Sequence, residues 1–251
     1  MKKTIIGALV AFIGAGAAVA EELNICVEGA YPPFSLTNES GDVVGFDIDI
    51  ANALCAEIGA ECTMVKTDWD GIIPALVERK CDAIVASMSI TEDRKKVIDF
   101  TSKYYNTPAR FVAADGAGLD ENSLEGKVVG VQRGTIHHDF MDGELPDVEL
   151  KLYGTQDEVY LDMAAGRIDA FIADSVASLD GFLNTDAGEG YAYFGPSYSI
   201  PKYHGEGAGI GLRKGEEDLK SRLNAAIEAV RSSGQYEEIN AKYFDFDIYG
   251  G

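Results

Sequence analysis

The sequence predicts an α/β fold built on mostly parallel sheet, and three observations carry that prediction. Short apolar runs alternate with amphipathic ones, one stretch of the chain repeats another, and both copies end where a strand gives way to a loop. In order, "LNICVE" reads as a strand and "GFDIDIANALCAEI" as a helix with Ile48, Ala51, Leu54 and Ile58 at helical spacing. "CTMVKT" is then a strand, "DGIIPALVERK" a helix and "CDAIVAS" a strand. The pattern recurs in "KVVGVQRG" and "VELKLYG" as strands, "QDEVYLDMAAGR" as a helix and "IDAFIAD" as a strand. The C-terminal "EEDLKSRLNAAIEAVRSSG" puts Leu219, Leu223, Ala226, Ile227 and Val230 on one helical face and stops at Gly234, and "QYEEINAKYF" follows as a second helix.

The repeat aligns without gaps at an offset of 87: "WDGIIPALVERKCDAIVAS" beside "QDEVYLDMAAGRIDAFIAD". Asp70 matches Asp157, Lys80 matches Arg167, Asp82 matches Asp169, and the shared D-A-apolar-apolar-A core follows. Two related lobes are expected. One copy ends on Ser87 and the other on Asp174, at the carboxyl ends of strands, the edge where open parallel sheets bind ligands.

The first copy runs on into "VASMSITEDRKKVIDF". Ser89 and Thr91 are both N-cap candidates, and Ser89 with Glu92 has capping-box spacing, so a helix is expected to start near Thr91. Arg94 then falls in a first turn, where the helix dipole disfavours a cation by about 0.3–1 kcal/mol. Either the helix tolerates the misfit, or Arg94 and the free N–H groups share an anion that the chain does not supply.

Bulk properties narrow the setting. Lys2 and Lys3, the apolar run Ile5 to Ala17 and the small-x-small Ala18-Val19-Ala20 read as an export signal cleaved after Ala20. The run is short for a membrane span, and Cys26 lies too far from the cut to be a lipid anchor. A soluble chain in a bacterial periplasm is expected. The formal charge of −21 becomes −23 once the two lysines leave, which argues against nucleic acid or anionic membrane as a partner. Export permits disulfides. Cys55 and Cys62 close a short loop and are expected to pair, whereas Cys26 and Cys81, in separate strands, could be a second bridge or two buried thiols. No CxxC spacing or nearby histidine supports zinc.

Catalytic patterns are missing. "GPSYS" is no GxSxG elbow, His137, His138 and His204 have no metal-ligand spacing, and "GEGAGIG" (Gly205 to Gly211) lacks the GK[ST] of a phosphate loop. No enzyme, cofactor or metal is expected. What remains suits an amino acid. Arg94 offers a planar fork for a carboxylate, and Ser87 and Ser89 offer hydroxyls. Asp174 could accept from an ammonium or cap the helix in "SVASLDGFL". Tyr31 in "EGAYPPF" and Trp69 in "TDWDG" could sandwich a side chain, stack on a guanidinium or belong to the core.

"EGAYPPF", "GFDIDIANALC", "DWDGIIPAL", "DAIVASMSITEDRKKVIDFT", "RIDAFIAD" and "GQYEEINAKYFDFDIYGG" occur in an order that resembles the periplasmic polar-amino-acid binding proteins of ABC importers. The likeness is to solute-binding protein family 3, nearest its lysine/arginine/ornithine- and histidine-binding branch, and covers essentially the whole chain after the signal. It implies a type II periplasmic-binding-protein fold, two α/β lobes that close on ligand by a hinge. Lobe 1 would comprise 21–105 and 208–251, lobe 2 109–201, and the hinge 105–109 and 201–208. The resemblance places the α-carboxylate on Arg94, Ser89 and Thr135, and the α-amino group on Asp174 with help near Ser87. It places the aromatic walls on Tyr31 and Trp69, a distal nitrogen on Glu28 and Asp47, and the family's cysteine pair on Cys55 and Cys62. Met88, Gln132 and His137 are counted with the binding residues.

The departures concern the side-chain end. Glu28 stands where Asp is more usual, Ala86-Ser87 replaces a serine pair, and Ile136 and His137 replace polar residues. A monomeric receptor is expected that captures arginine before lysine or ornithine and hands it to an inner-membrane permease. Histidine, an opine or a neutral polar amino acid is the alternative ligand. A dehydratase relative is a further one, with His137 the sole histidine expected in the cleft.

Overall fold

The computed structural model describes residues 20–120 and 122–250, so the expected export signal lies outside the described residues. The chain forms two five-stranded sheets, each covered by helices on both faces. Strand β1 (Glu21–Val27) leads through a small antiparallel sheet, β2 (Ala30–Tyr31), β3 (Ser35–Thr37) and β4 (Val43–Val44), into α1 (Phe46–Glu57). There follow β5 (Ala60–Lys66), α2 (Trp69–Val77), β6 (Ala83–Ile84), the one-turn α3 (Glu92–Lys95) and β7 (Asp99–Tyr105). The chain then crosses to the second sheet with β8 (Ala109–Ala114), β9 (Val128–Gln132), α4 (Ile136–Glu144), β10 (Glu149–Tyr153) and α5 (Gln156–Ala164). After β11 (Ala170–Asp174), α6 (Ser175–Ser178) and β12 (Tyr191–Tyr198), α7 (Pro201–His204) leads back to β13 (Ala208–Leu212), α8 (Glu217–Ser232) and α9 (Gln235–Tyr243).

The sheet orders are β5-β1-β6-β13-β7 and β10-β9-β11-β8-β12. In each, three parallel strands are flanked by an antiparallel fourth, β13 against β6 in one and β8 against β11 in the other. The repeat at an offset of 87 thus maps onto α2–β6 and α5–β11, the helix and central strand of each sheet, and the mostly parallel α/β architecture is as the sequence predicts. Cores lie on both faces of each sheet: α1, α8 and α9 against one face of the first, α2 against the other, and two further clusters about the second. The α8 residues Leu219, Leu223, Ala226, Ile227 and Val230 are all buried.

Two local expectations need correction. The strand expected over "CDAIVAS" spans only Ala83–Ile84, because Ser87 adopts φ of 52° and turns the chain off the sheet. Thr91 alone caps α3, its side chain accepting from Arg94 N, while Ser89 pairs with Ala208 instead of forming a capping box. The glycine-rich run after α7 contributes β13, which is buried throughout. Gly205 is required there, at φ of 68°, where a β-carbon would run into the Ile90 carbonyl. Gly45 is required in the same way at the start of α1, against the backbone of Phe34.

Both cysteine pairs are joined. Cys55–Cys62 links the end of α1 to β5, and Cys26–Cys81 ties β1 to the approach to β6, so the second pair is a bridge and not two thiols.

Candidate functional site

Every expected site residue except Asp47 and Met88 borders one cleft between the two sheets. Parallel strands bring their carboxyl ends together there: β1 delivers Glu28, β6 Ser87, β9 Gln132 and β11 Asp174.

Arg94 is partly buried on the cleft wall. Its Nη1 donates to the Ser89 carbonyl at 3.0 Å and its Nη2 to the Gly134 carbonyl at 3.4 Å, and its guanidinium lies 5.2 Å from the Trp69 ring centroid. Burial lowers its pKa to about 10, opposed by the charge of Asp139, so it stays cationic at neutral pH. Helix α3 is a single turn, and Arg94 stands as near its last carbonyls as its first N–H groups. The dipole misfit that the sequence raises therefore dissolves. Arg94 is held instead by two carbonyls and an indole face, which suits it to a carboxylate.

Asp174 takes its expected cap role and also borders the cleft. Its Oδ1 caps α6, accepting from Val176 N at 2.8 Å and Ala177 N at 3.2 Å, while Oδ2 accepts from Thr107 Oγ1 at the cleft wall. Burial raises it to about 6 against these three donors. Glu28, 5% exposed, accepts from Gln132 Nε2 at 2.6 Å, and burial raises it to about 7 against that hydrogen bond. Tyr31 stacks on Phe34 with ring centroids 5.9 Å apart and faces the cleft, as does Trp69, whose Nε1 donates to the Gly134 carbonyl at 3.2 Å. Thr135 caps α4 and donates from Oγ1 to the Gln132 carbonyl at 2.8 Å.

Asp47 is fully buried behind this wall. Position two of α1 turns it inward, where Tyr104 Oη donates to Oδ1 at 2.9 Å and Ser87 Oγ to Oδ2 at 3.0 Å. Ser87 N in turn donates to Tyr104 Oη at 3.1 Å. This closed triangle holds the left-handed backbone of Ser87 against the cleft, so Asp47 supports the wall from behind and does not border the cleft. Met88 also falls outside, in the apolar core with α2, because its neighbours Ser87 and Ser89 take the cleft side.

His137 is buried beside His204, and both line the cleft. Burial, then the nearby His204 and Arg94, drives His137 down to about 3, so it is neutral at pH 7. The sequence expectation of one cleft histidine is incomplete. His204 arrives from α7 with Gly207 and Ala208, and Asn106 and Thr107 arrive from the other crossing segment. No motif marks these positions. They are at the site because both inter-lobe crossings run past it.

The cleft wall thus carries the Arg94 guanidinium, the Glu28 and Asp174 carboxylates and the aromatic rings of Tyr31, Trp69 and Tyr105, a set that suits a small molecule bearing a carboxylate and cationic groups. The family model for bacterial extracellular solute-binding proteins, family 3, matches residues 23–246. The chain is 51% identical to an L-arginine-binding protein of Pseudomonas aeruginosa over 91% of its own length and 90% of that protein's. It is 41% identical to the lysine/arginine/ornithine-binding periplasmic protein of Escherichia coli over 93% and 92% of the two lengths. Among solved structures, a Salmonella typhimurium periplasmic binding protein described for high arginine specificity superposes with a TM-score of 0.84 at 31% identity, covering 90% of this chain and 100% of that one.

Proposed function

The chain belongs to the bacterial extracellular solute-binding proteins of family 3, and on that footing we propose that it is a periplasmic receptor for a basic L-amino acid, arginine before lysine and ornithine. One observation carries the reading: Arg94, Asp174 and Glu28 share a single cleft. The α-carboxylate takes the Arg94 guanidinium together with Ser89 and Thr135, the α-ammonium takes Asp174, and the distal cation takes Glu28 between Tyr31 and Trp69. A zwitterion with a second positive charge matches one fixed cation and two carboxylates, whereas glutamate would leave Glu28 facing a like charge.

The two crossings, 105–109 and 201–208, act as the hinge between a lobe of 21–105 and 208–251 and a lobe of 109–201. Closure about them buries the ligand, and the closed monomer is what an inner-membrane ABC permease receives. A chain made with the export segment 1–20 reaches the periplasm in this reading. Turnover is not its work: His137 is neutral and beside Arg94, a poor source or acceptor of protons at pH 7.

A thermal-shift panel of the L-amino acids tests the reading. Arginine at a hundredfold excess over its dissociation constant should stabilise the protein by about 2.7 kcal/mol. Stabilisation by glutamine or glutamate with none by arginine would overturn the proposal, and product formed from any amino acid would overturn the binding-only role.

A further inference from the structure

The side-chain amide of Gln132 is held in one orientation. Gln132 closes β9 and is 2% exposed. Its Nε2 donates to Glu28 Oε1 at 2.6 Å and to the Gly154 carbonyl at 3.2 Å. A carbonyl can only accept, so the Gly154 contact by itself requires the nitrogen on that side, and an ionised Glu28 requires it again. Flipping the amide would set its oxygen against two acceptors and forfeit both hydrogen bonds, one of them fully buried. What turns to the ligand side is Oε1. No described residue donates to it, and it is not sealed inside the protein, so it lies on the cleft wall. Glu28 Oε2 is in the same condition.

Resting on the reading of the ligand as a basic amino acid, we propose that Gln132 Oε1 is a specificity determinant, forming with Glu28 Oε2 an acceptor pair that selects the guanidinium of arginine over the ammonium of lysine or ornithine. A guanidinium presents its donors in a rigid planar fork and is best met by two neighbouring acceptors, whereas an ammonium is a point charge whose donors rotate to whatever is near, water included. Removing one acceptor of the pair leaves a guanidinium N–H unpaired in a water-poor cleft but lets an ammonium reorient. Glu28 belongs to the first sheet's lobe and Gln132 to the second's, so the pair is complete only when the lobes approach. Selection is then made at closure, not at first encounter.

Calorimetric titration of L-arginine, L-lysine and L-ornithine into the wild type, Gln132→Met and Gln132→Asn tests this. Met keeps the length without an acceptor. Asn keeps the amide but is too short to hold both anchors, and it serves if the Met variant fails to fold. In both variants arginine should weaken by about tenfold or more and lysine by less than about threefold, narrowing the preference between them. Arginine and lysine weakening by the same factor, or arginine staying within about threefold of wild type, overturns the proposal. A wild type that binds neither cation overturns the receptor reading and this proposal together, whereas a wild type whose preference ignores Gln132 overturns this proposal alone.

Discussion

Arg133 and Asp70 form an ion pair across the mouth of the cleft, Arg133 Nε donating to Asp70 Oδ2 at 3.1 Å from one lobe to the other. Their neighbours do the same work: Trp69 and Arg94 both donate to the Gly134 carbonyl, and Gln132 donates to Glu28. These hydrogen bonds across the cleft mouth share the segment Gln132-Arg133-Gly134. It forms a clasp whose outer members, Arg133 and Asp70, lie outside the residues that line the cleft.

For that outer pair we expect a small, salt-dependent effect. Both side chains are about half exposed, at 48% and 44%, so solvent screens most of their attraction. Arg133→Ala should speed ligand dissociation several-fold at low ionic strength and less at high, with the association rate little changed. Stopped-flow dissociation at two salt concentrations reads this, and a rate indifferent to both mutation and salt would remove the clasp role.

Arg94→Ala should abolish binding while the fold persists, since the side chain's contacts are two carbonyls and one indole face at a cleft wall. Circular dichroism checks the fold and titration with arginine checks the affinity. Binding within about tenfold of wild type would contradict the assignment of the carboxylate to Arg94.

The raised carboxylates make affinity depend on pH. Glu28 is at about 7 and Asp174 at about 6 when the cleft is empty, and a bound cation favours the ionised form of each. Arginine should therefore bind with release of protons near pH 6–7, and its affinity should fall as pH drops through 7 and again through 6. Calorimetry in buffers of different ionisation enthalpy measures the protons released. In Glu28→Gln the step near pH 7 should vanish and the step near pH 6 should remain.

The same groups set the stability of the empty protein. A carboxyl whose folded pKa lies above its unfolded one binds more protons when folded, so its contribution worsens as pH rises from the ordinary carboxylate range through the raised value. For Glu28 that window runs from 4.5 to about 7. Urea unfolding of empty wild type and Glu28→Gln should show the variant gaining on the wild type across this window, by at most about 3 kcal/mol. A gap independent of pH would show that Glu28 is not raised.

The two bridges should differ in worth. Cys26–Cys81 spans 55 residues of sequence and Cys55–Cys62 spans 7. Chain entropy makes the longer closure more stabilising by about 2 kcal/mol. Replacing each pair by serine and comparing urea midpoints checks the order. Equal losses would mean that native-state effects outweigh loop entropy.

The alternation of strands and helices was legible because burial imposes periods of 2 and 3.6 on apolar residues, and the repeat was legible because the two lobes solve the same packing problem. Several site residues were legible for a related reason: Arg94, Asp174 and Trp69 stand at strand ends or helix starts, positions that local pattern reveals, whereas Glu28 entered through the family resemblance. Asp47 was misjudged because its polarity signals a ligand as well as it signals a buried hydrogen-bond network. Only the position of Ser87 and Tyr104 around it distinguishes the two. Met88 was misjudged because a turn at Ser87 reassigns which neighbours face the cleft, and a positive φ at a serine has no sequence signature.

Sequence alone determined the α/β class, the paired lobes, the helix faces, the Cys55–Cys62 bridge and the chemical types available for a ligand, since each depends on residues near one another in the chain. Tertiary structure decided what depends on distant residues meeting. It joined Cys26 to Cys81, set Asp47 behind the wall, brought His204 and the crossing residues to the cleft, and turned the Gln132 amide so that it shows a ligand its oxygen. Orientation of that kind comes from partners 22 and 104 residues away, and no local pattern encodes it.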